Sequence, residues 1–219
     1  MGLEIFADLE QGTPSWFAAR CGLPTASKFK DILAKSTEGR MRRSYMLTLA
    51  GEILTGEPAE SYSNGFMERG HEQEPAARAD YAFLTDAKLT RIGFARNGRK
   101  GCSPDSLVGD DGVLEVKTAM AAIQVGYIVK GDFPPEHKAQ TQGALWVCER
   151  EWVDIAIYSP GLPLFVKRAY RDEAYIRNLD SEVARFLEEL DQTVERVRHY
   201  GMPPATILKE KLTASLEMA

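Results

Sequence analysis

Apolar positions along the chain keep two different rhythms. In "GLPTASKFKDILAK", Phe29, Ile32 and Leu33 recur at helical spacing, which predicts a helix beginning near Thr25 to Ser27. "RRSYMLTLAGEILTG" predicts a second helix, closed by Gly56 because glycine accepts the left-handed conformation at a helix C-terminus. "FMERGHEQEPAARADYAFL" predicts a third. Pro75 either kinks that helix or marks its first turn, since proline has no N–H to donate to the preceding turn. The rhythm then shortens. "AKLTRIGFARN" and "VLEVKT" read as strands, and "GDDG" reads as the hairpin turn between "DSLV" and the latter. "AIQVGYIVKG" and "PPEHKAQTQGALWVCE" return to helical spacing, with Pro134 and Pro135 at the entrance of the second. "EWVDIAIYSP" and "LPLFVKRAY" are strands again. In the long terminal helix, Ile176, Leu179, Val183, Phe186, Leu190, Val194 and Val197 form one stripe, expected to pack on the body, with an oligomer seam as the lesser alternative.

This order of helices, small sheet, two helices, two strands and a helix predicts an α/β fold, a mixed β-sheet flanked by helices. The 219 residues carry no internal repeat and suit a single domain spanning 1–219, with a helical N-terminal part and a long C-terminal helix. A composition of 44% hydrophobic and 27% charged residues is that of a globular chain. The net charge of −5 speaks mildly against diffuse nucleic-acid binding, although local patches rather than the total decide steering. Cys21, Cys102 and Cys148 are scattered and form no CxxC, so neither a disulfide framework nor a zinc site is expected. The acidic opening "MGLEIFADLEQG" lacks the apolar segment of a signal peptide, and no apolar run approaches membrane-spanning length. The expectation is a soluble, cytoplasmic protein with no membrane partner.

The candidate chemistry sits in "CSPDSLVGDDGVLEVKTA", from Cys102 to Ala119. A strand alternates faces with period two, so Glu115 and Lys117 share one face while Leu114 and Val116 turn to the core. Asp105 lies across the hairpin, and the pairing register decides whether it reaches the Glu115 side. Two carboxylates on one face repel, and a hard divalent cation holds them ionised together. Carboxylate oxygens, a backbone carbonyl and water suit magnesium, which generates hydroxide near neutral pH and stabilises charge on a phosphate. Lys117 could hold the attacking water or neutralise developing charge. An acid and a lysine two apart on a strand more often make a weak surface ion pair, but here the flanks are apolar. Asp110 and Asp111 serve the turn. A further acid is offered by Glu68, Glu72 and Glu74 on one helix, not all of which can point inward. His71-Glu72 is no zinc-protease signature, because Pro75 stands where the second histidine belongs.

"SPD" at Ser103 to Asp105, then nine residues, then Glu115-Val116-Lys117, resembles the core of the PD-(D/E)xK nucleases. More narrowly, it resembles the phage lambda exonuclease group of viral recombination nucleases. Four other stretches agree in order. "WFAARCGLPTAS" resembles that family's tryptophan–arginine–threonine-alanine-serine opening, and "SYMLTLAGEILTG" its second helix. "RGHEQEPAAR" is similar to its acid-bearing helix, and "AQTQGALWV" to its glutamine helix. The resemblance implies a restriction-endonuclease-like core. It implies Asp105 and Glu115 as metal ligands with the Val116 carbonyl, Lys117 at the nucleophilic water, and Glu74 as the helix acid near a second metal. It implies Arg20, Ser27, Ser103 and Gln140 as the pocket for a 5′-phosphate. A phosphate suits Ser27 in the first turn of a helix and the fork of Arg20. The family's extra arginine after the first helix falls here nearer to Thr37, and Arg40, Arg42 or Arg43 could substitute.

The function so implied is a magnesium-dependent exonuclease, with manganese as a substitute and two ions in the site. It would digest one strand of duplex DNA 5′ to 3′ from a phosphorylated end and leave a 3′ tail for recombination. The resemblance also implies a homotrimeric ring, a single-strand annealing partner, and a phage or prophage gene acting in a bacterial cytoplasm. A restriction-type or repair endonuclease on the same core is the alternative enzyme. A metal-free DNA-end binding protein is the alternative from another class, disfavoured because the acids and Lys117 are all present.

Overall fold

A computed structural model describes residues 2–34, 39–59 and 65–201, the side chains of 65–69 and 71 excepted. The chain opens with strand β1 (Leu3–Phe6) and helix α1 (Pro14–Arg20), whose first turn is capped by the Thr13 hydroxyl accepting from the Trp16 N–H. A single 3-10 turn, Ala26–Lys28, leads into the short helix α2 (Phe29–Leu33). Two longer helices follow, α3 (Gly39–Thr55) and α4 (Gly65–Thr85). Then come strands β2 (Leu89–Thr90), β3 (Phe94–Asn97), β4 (Lys100–Cys102), β5 (Ser106–Val108) and β6 (Gly112–Thr118). Helices α5 (Ala121–Lys130) and α6 (Lys138–Cys148), strands β7 (Trp152–Tyr158) and β8 (Phe165–Tyr170), and helix α7 (Glu173–Arg198) complete the elements of the described residues.

The strands form two sheets. A three-stranded antiparallel sheet runs β1-β3-β4, and a five-stranded sheet runs β2-β5-β6-β7-β8. The larger sheet is mixed: β6 and β7 are parallel and the other pairs antiparallel. Parallel neighbours need a crossover. Here the crossover carries α5 and α6, so the helix bearing Gln140 is laid beside β6. Leu114 and Val116 pack with Ala77, Tyr81 and Ala156 under α4, as the alternation requires. Val113, on the opposite face, joins the main core of Phe29, Leu49, Leu145, Leu179 and Phe186. Both faces of β6 are therefore covered, and Glu115 is only 3% exposed. That burial removes the reading of Glu115 as a member of a solvated surface pair.

Three expectations are changed or resolved. "AKLTRIGFARN" is not one strand but two, β2 in the large sheet and β3 in the small one. The chain leaves one sheet for the other at Gly93, whose N–H donates to the Phe6 carbonyl at 3.0 Å. Pro75 lies inside α4 rather than in its first turn. Of the α7 stripe, six positions are buried, but Val197 is 52% exposed because α7 runs past the body there. β1, α1 and β4 have too few periodic positions to be read from sequence. Helix α5 leaves Ile123, Val125, Ile128 and Val129 exposed, an apolar surface with no cover within the chain among the described residues.

Candidate active site

The β5–β6 hairpin settles the register. Ser106 pairs with Leu114, so one step further along the antiparallel ladder sets Asp105 opposite Glu115. Asp105 Oδ2 accepts the Val116 N–H at 2.5 Å. In an extended strand the N–H and C=O of one residue leave by the same edge. The Val116 carbonyl therefore faces the edge that Asp105 occupies. Lys117 Nζ donates to Glu115 Oε1 at 2.6 Å, and Gln140 Nε2 donates to the same oxygen. Burial holds the Asp105 carboxyl well above the usual carboxylate range, and the charges of Glu115 and Glu74 push the same way. Burial works against the Lys117 ammonium, but Glu115, Asp105 and Glu74 outweigh it and raise its pKa. The carboxylates of Asp105 and Glu115, set side by side, disfavour each other's ionised form, a state that a cation relieves.

Asp105, Glu115 and Lys117 line one cleft of about 310 Å³ together with Arg20, Ser27, Ser103 and Gln140. Seven of the eight side chains named from sequence for these roles meet there, from five separate segments. Thr25 forms a parallel bridge to Gly101, which sets the Ala26–Lys28 turn beside the end of β4 and hence Ser27 beside Ser103. Gly143 lets α6 approach: a Cβ there would lie 2.5 Å from the Phe29 ring. Trp16, quoted within a motif but given no role from sequence, holds two members of the cleft. Its Nε1–H donates to Ser103 Oγ and to the Gly93 carbonyl, both at 2.9 Å. Its ring also carries the Arg20 guanidinium 3.8 Å from the ring centre. Burial lowers the Arg20 pKa from its usual value, with Tyr45 and Glu52 opposing the shift. Among the described residues no carboxylate lies within 4.0 Å of that guanidinium. Gln140 sits between the two halves, its amide turned to Glu115 rather than to Arg20.

Glu74 does not line this cleft. It borders an adjoining depression with Pro75, Arg78 and Arg91, and its carboxylate is ion-paired to Arg78 one turn on. Gln11 lies between the two hollows, lining both. The charge of Glu74 still reaches Asp105 and Lys117. Glu72 is exposed, and Glu68, His71 and Thr37 lie outside the described residues and side chains. Of the three arginines after α2, Arg42 is bound bidentately to Glu189 at 2.5 and 3.0 Å, while Arg40 and Arg43 are exposed.

Among the described residues, no three His, Cys, Asp or Glu side chains converge in the manner of a complete metal cage. The oxygens of Asp105, Glu115 and the Val116 carbonyl nonetheless fit a hard cation that keeps several waters, because magnesium takes one or two carboxylates rather than an all-protein cage. The facing of Asp105 and Glu115 across the hairpin, with the Val116 backbone at the same edge, is the observation that favours this fit.

Residues 15–151 match the YqaJ-like viral recombinase domain. An alkaline exonuclease from Laribacter hongkongensis is 35% identical, with 85% of this chain and 97% of that one covered and a TM-score of 0.78. The same enzyme in complex with dAMP gives 36% identity over the same coverage and the same TM-score. A phage related exonuclease from Haemophilus somnus 129PT shares the fold at 14% identity, with 80% and 96% covered and a TM-score of 0.62. No curated protein matches. The motifs from Trp16 to Val147 fall inside the matched span, and the chain belongs to the family of YqaJ-like viral recombinases, lambda exonuclease-like nucleases.

Proposed function

We propose that the protein is a magnesium-dependent exonuclease. It digests one strand of duplex DNA from a 5′-phosphorylated end, 5′ to 3′, and leaves a 3′ single-stranded tail for recombination. The observation that carries this reading is one cleft holding buried Glu115, half-buried Asp105 and a lysine beside an arginine that lacks a carboxylate partner among the described residues. The Laribacter alkaline exonuclease, similar over most of both chains, supports it.

Asp105, Glu115 and the Val116 carbonyl would hold the metal, with Glu74 near a second ion; the metal supplies a water nucleophile and a counter-charge for the phosphate. Manganese should substitute. Lys117, fixed by Glu115, offers its remaining N–H bonds to the attacking water or to the charge that builds on the phosphate. Arg20, Ser27, Ser103 and Gln140 bind the terminal phosphate. A terminal phosphate carries more charge than an internal diester, so a desolvated fork beside two hydroxyls prefers it. With the terminal phosphate seated there, the first phosphodiester of the strand is carried toward Asp105 and Glu115, which fixes the direction of travel.

The whole chain acts as one nuclease domain in a homotrimeric ring around the duplex, passes the tail to a single-strand annealing protein, and works in the bacterial cytoplasm from a phage or prophage gene. The exposed apolar face of α5 supports association. Among the described residues no helix is long and apolar enough to cross a membrane. The test is incubation of a linear and a covalently closed circular duplex with magnesium. Digestion of the linear form alone, stopped by chelator, is expected. Cutting of the circle would replace the exonuclease by an endonuclease, and activity in excess chelator would remove the metal.

A further inference from the structure

The segment that carries Arg20 and Ser27 is held from behind by one face of α3. Tyr45 and Glu52 are seven residues apart, two helical turns, and so project from the same side. Glu52 Oε2 accepts the Gly22 N–H at 2.7 Å, and Oε1 accepts the Ala59 N–H at 3.0 Å. The Tyr45 hydroxyl accepts the Thr25 N–H at 3.0 Å. Burial raises the Tyr45 pKa to about 12, so it acts as a neutral phenol, and its ring stacks on Phe186 with centroids 5.7 Å apart. The turn lies close on α3: Gly22 has φ +71°, and a Cβ there would meet the Ile53 side chain at 2.7 Å. Two backbone groups within the Arg20–Ser27 segment, Gly22 N–H and Thr25 N–H, are therefore tied to one rigid helix.

The chemistry of Glu52 adds a second feature. Each of its oxygens is used on a backbone N–H, and none lies within ion-pair distance of Arg20 among the described residues. Its charge favours the ionised form of Arg20 through space. It does so without occupying the guanidinium fork, which stays open to the cleft. A glutamine cannot copy this, because it has one carbonyl oxygen and its amide nitrogen would face an N–H.

We infer that Glu52 and Tyr45 are positioning residues that set the preference for a 5′-phosphate by fixing the backbone from Gly22 to Thr25, and through it Arg20 and Ser27. The inference rests on the phosphate pocket proposed above. The experiment compares initial rates on one duplex carrying either a 5′-phosphate or a 5′-hydroxyl, over a range of concentrations, for the wild type, Glu52→Gln and Tyr45→Phe. Melting temperatures are measured alongside. One lost hydrogen bond is worth about 0.5–1.5 kcal/mol, so each variant should lose roughly 2- to 10-fold of the phosphate preference. The loss should appear in the KM of the phosphorylated duplex rather than in kcat. A residue that only stabilises the fold would lower the melting temperature and slow both substrates alike. Tyr45→Phe keeps the ring stack on Phe186, so it tests the inference even where Glu52→Gln folds poorly. An undiminished preference in folded variants overturns the positioning role and leaves the phosphate pocket standing. No preference in the wild type overturns the pocket, and this inference with it.

Discussion

Replacing Arg20 by methionine should collapse the enzyme's preference for phosphorylated ends. Methionine keeps an unbranched stem to lie on the Trp16 ring but carries no charge and no donors. The size of the effect follows from the surroundings of the guanidinium. It stacks 3.8 Å from the Trp16 ring centre, is largely desolvated, and meets no carboxylate within 4.0 Å among the described residues. Its attraction for an anion is therefore not divided with an internal partner. A hydrogen bond to a charged group in such a setting is worth roughly 1.5–3 kcal/mol, equivalent to about 10- to 150-fold in rate ratio. The cleft is open to water, which places the expectation toward the lower part of that range. Arg20→Lys should fall between, because an ammonium retains the charge without the fork. The assay is the ratio of initial rates on 5′-phosphate and 5′-hydroxyl ends of one duplex at equal salt and magnesium. An Arg20→Met ratio equal to that of the wild type would falsify the assignment of Arg20 to the phosphate, while a uniform loss on both ends would point to general DNA binding.

Lys117→Ala should lower turnover by roughly a hundredfold or more with duplex binding retained, since it removes a donor aimed at developing charge; a near-normal rate would return Lys117 to an ion pair of no consequence. Asp105→Asn should abolish cleavage yet raise the melting temperature of the metal-free protein, because it removes a carboxyl whose ionisation is disfavoured by desolvation and by the charges of Glu115 and Glu74. Magnesium at about a hundredfold excess over its Kd should raise the wild-type melting temperature by roughly 5–10 °C and leave Asp105→Asn unmoved, and equal shifts in both would place the ion elsewhere. Gly143→Ala should destabilise the fold by about 1–3 kcal/mol in denaturant titration, because its Cβ would meet the Phe29 ring at 2.5 Å; an unchanged midpoint would show that α6 yields at no cost.

The local pattern was enough to identify β6 and to assign its faces, because strand alternation is a property of neighbouring residues. The same holds for the α7 stripe up to Val194 and for Gly56 at the end of α3, whose N–H donates to the Glu52 carbonyl at 2.8 Å. Family motifs, quoted one by one, were enough to name the seven side chains that meet in the cleft. What they could not supply is how distant segments spend their charges. Arg96, Arg99 and Lys100 crowd positive charge into five residues, yet Arg96 binds Glu4 and Arg99 binds Asp191, each 92 residues away, and Lys100 lies over the Trp146 ring. Arg42 is likewise taken by Glu189, while Arg20, no different by composition, meets no carboxylate among the described residues. Cys102 and Cys148, scattered in sequence, bring their free thiols within 3.4 Å in the core. The facing of Asp105 and Glu115 awaited the hairpin register, and the burial of Glu115 awaited α6 crossing over β6. Each is decided by chain-distant packing, because desolvation and charge pairing depend on which groups are near in space, whereas periodicity reports only what is near along the chain.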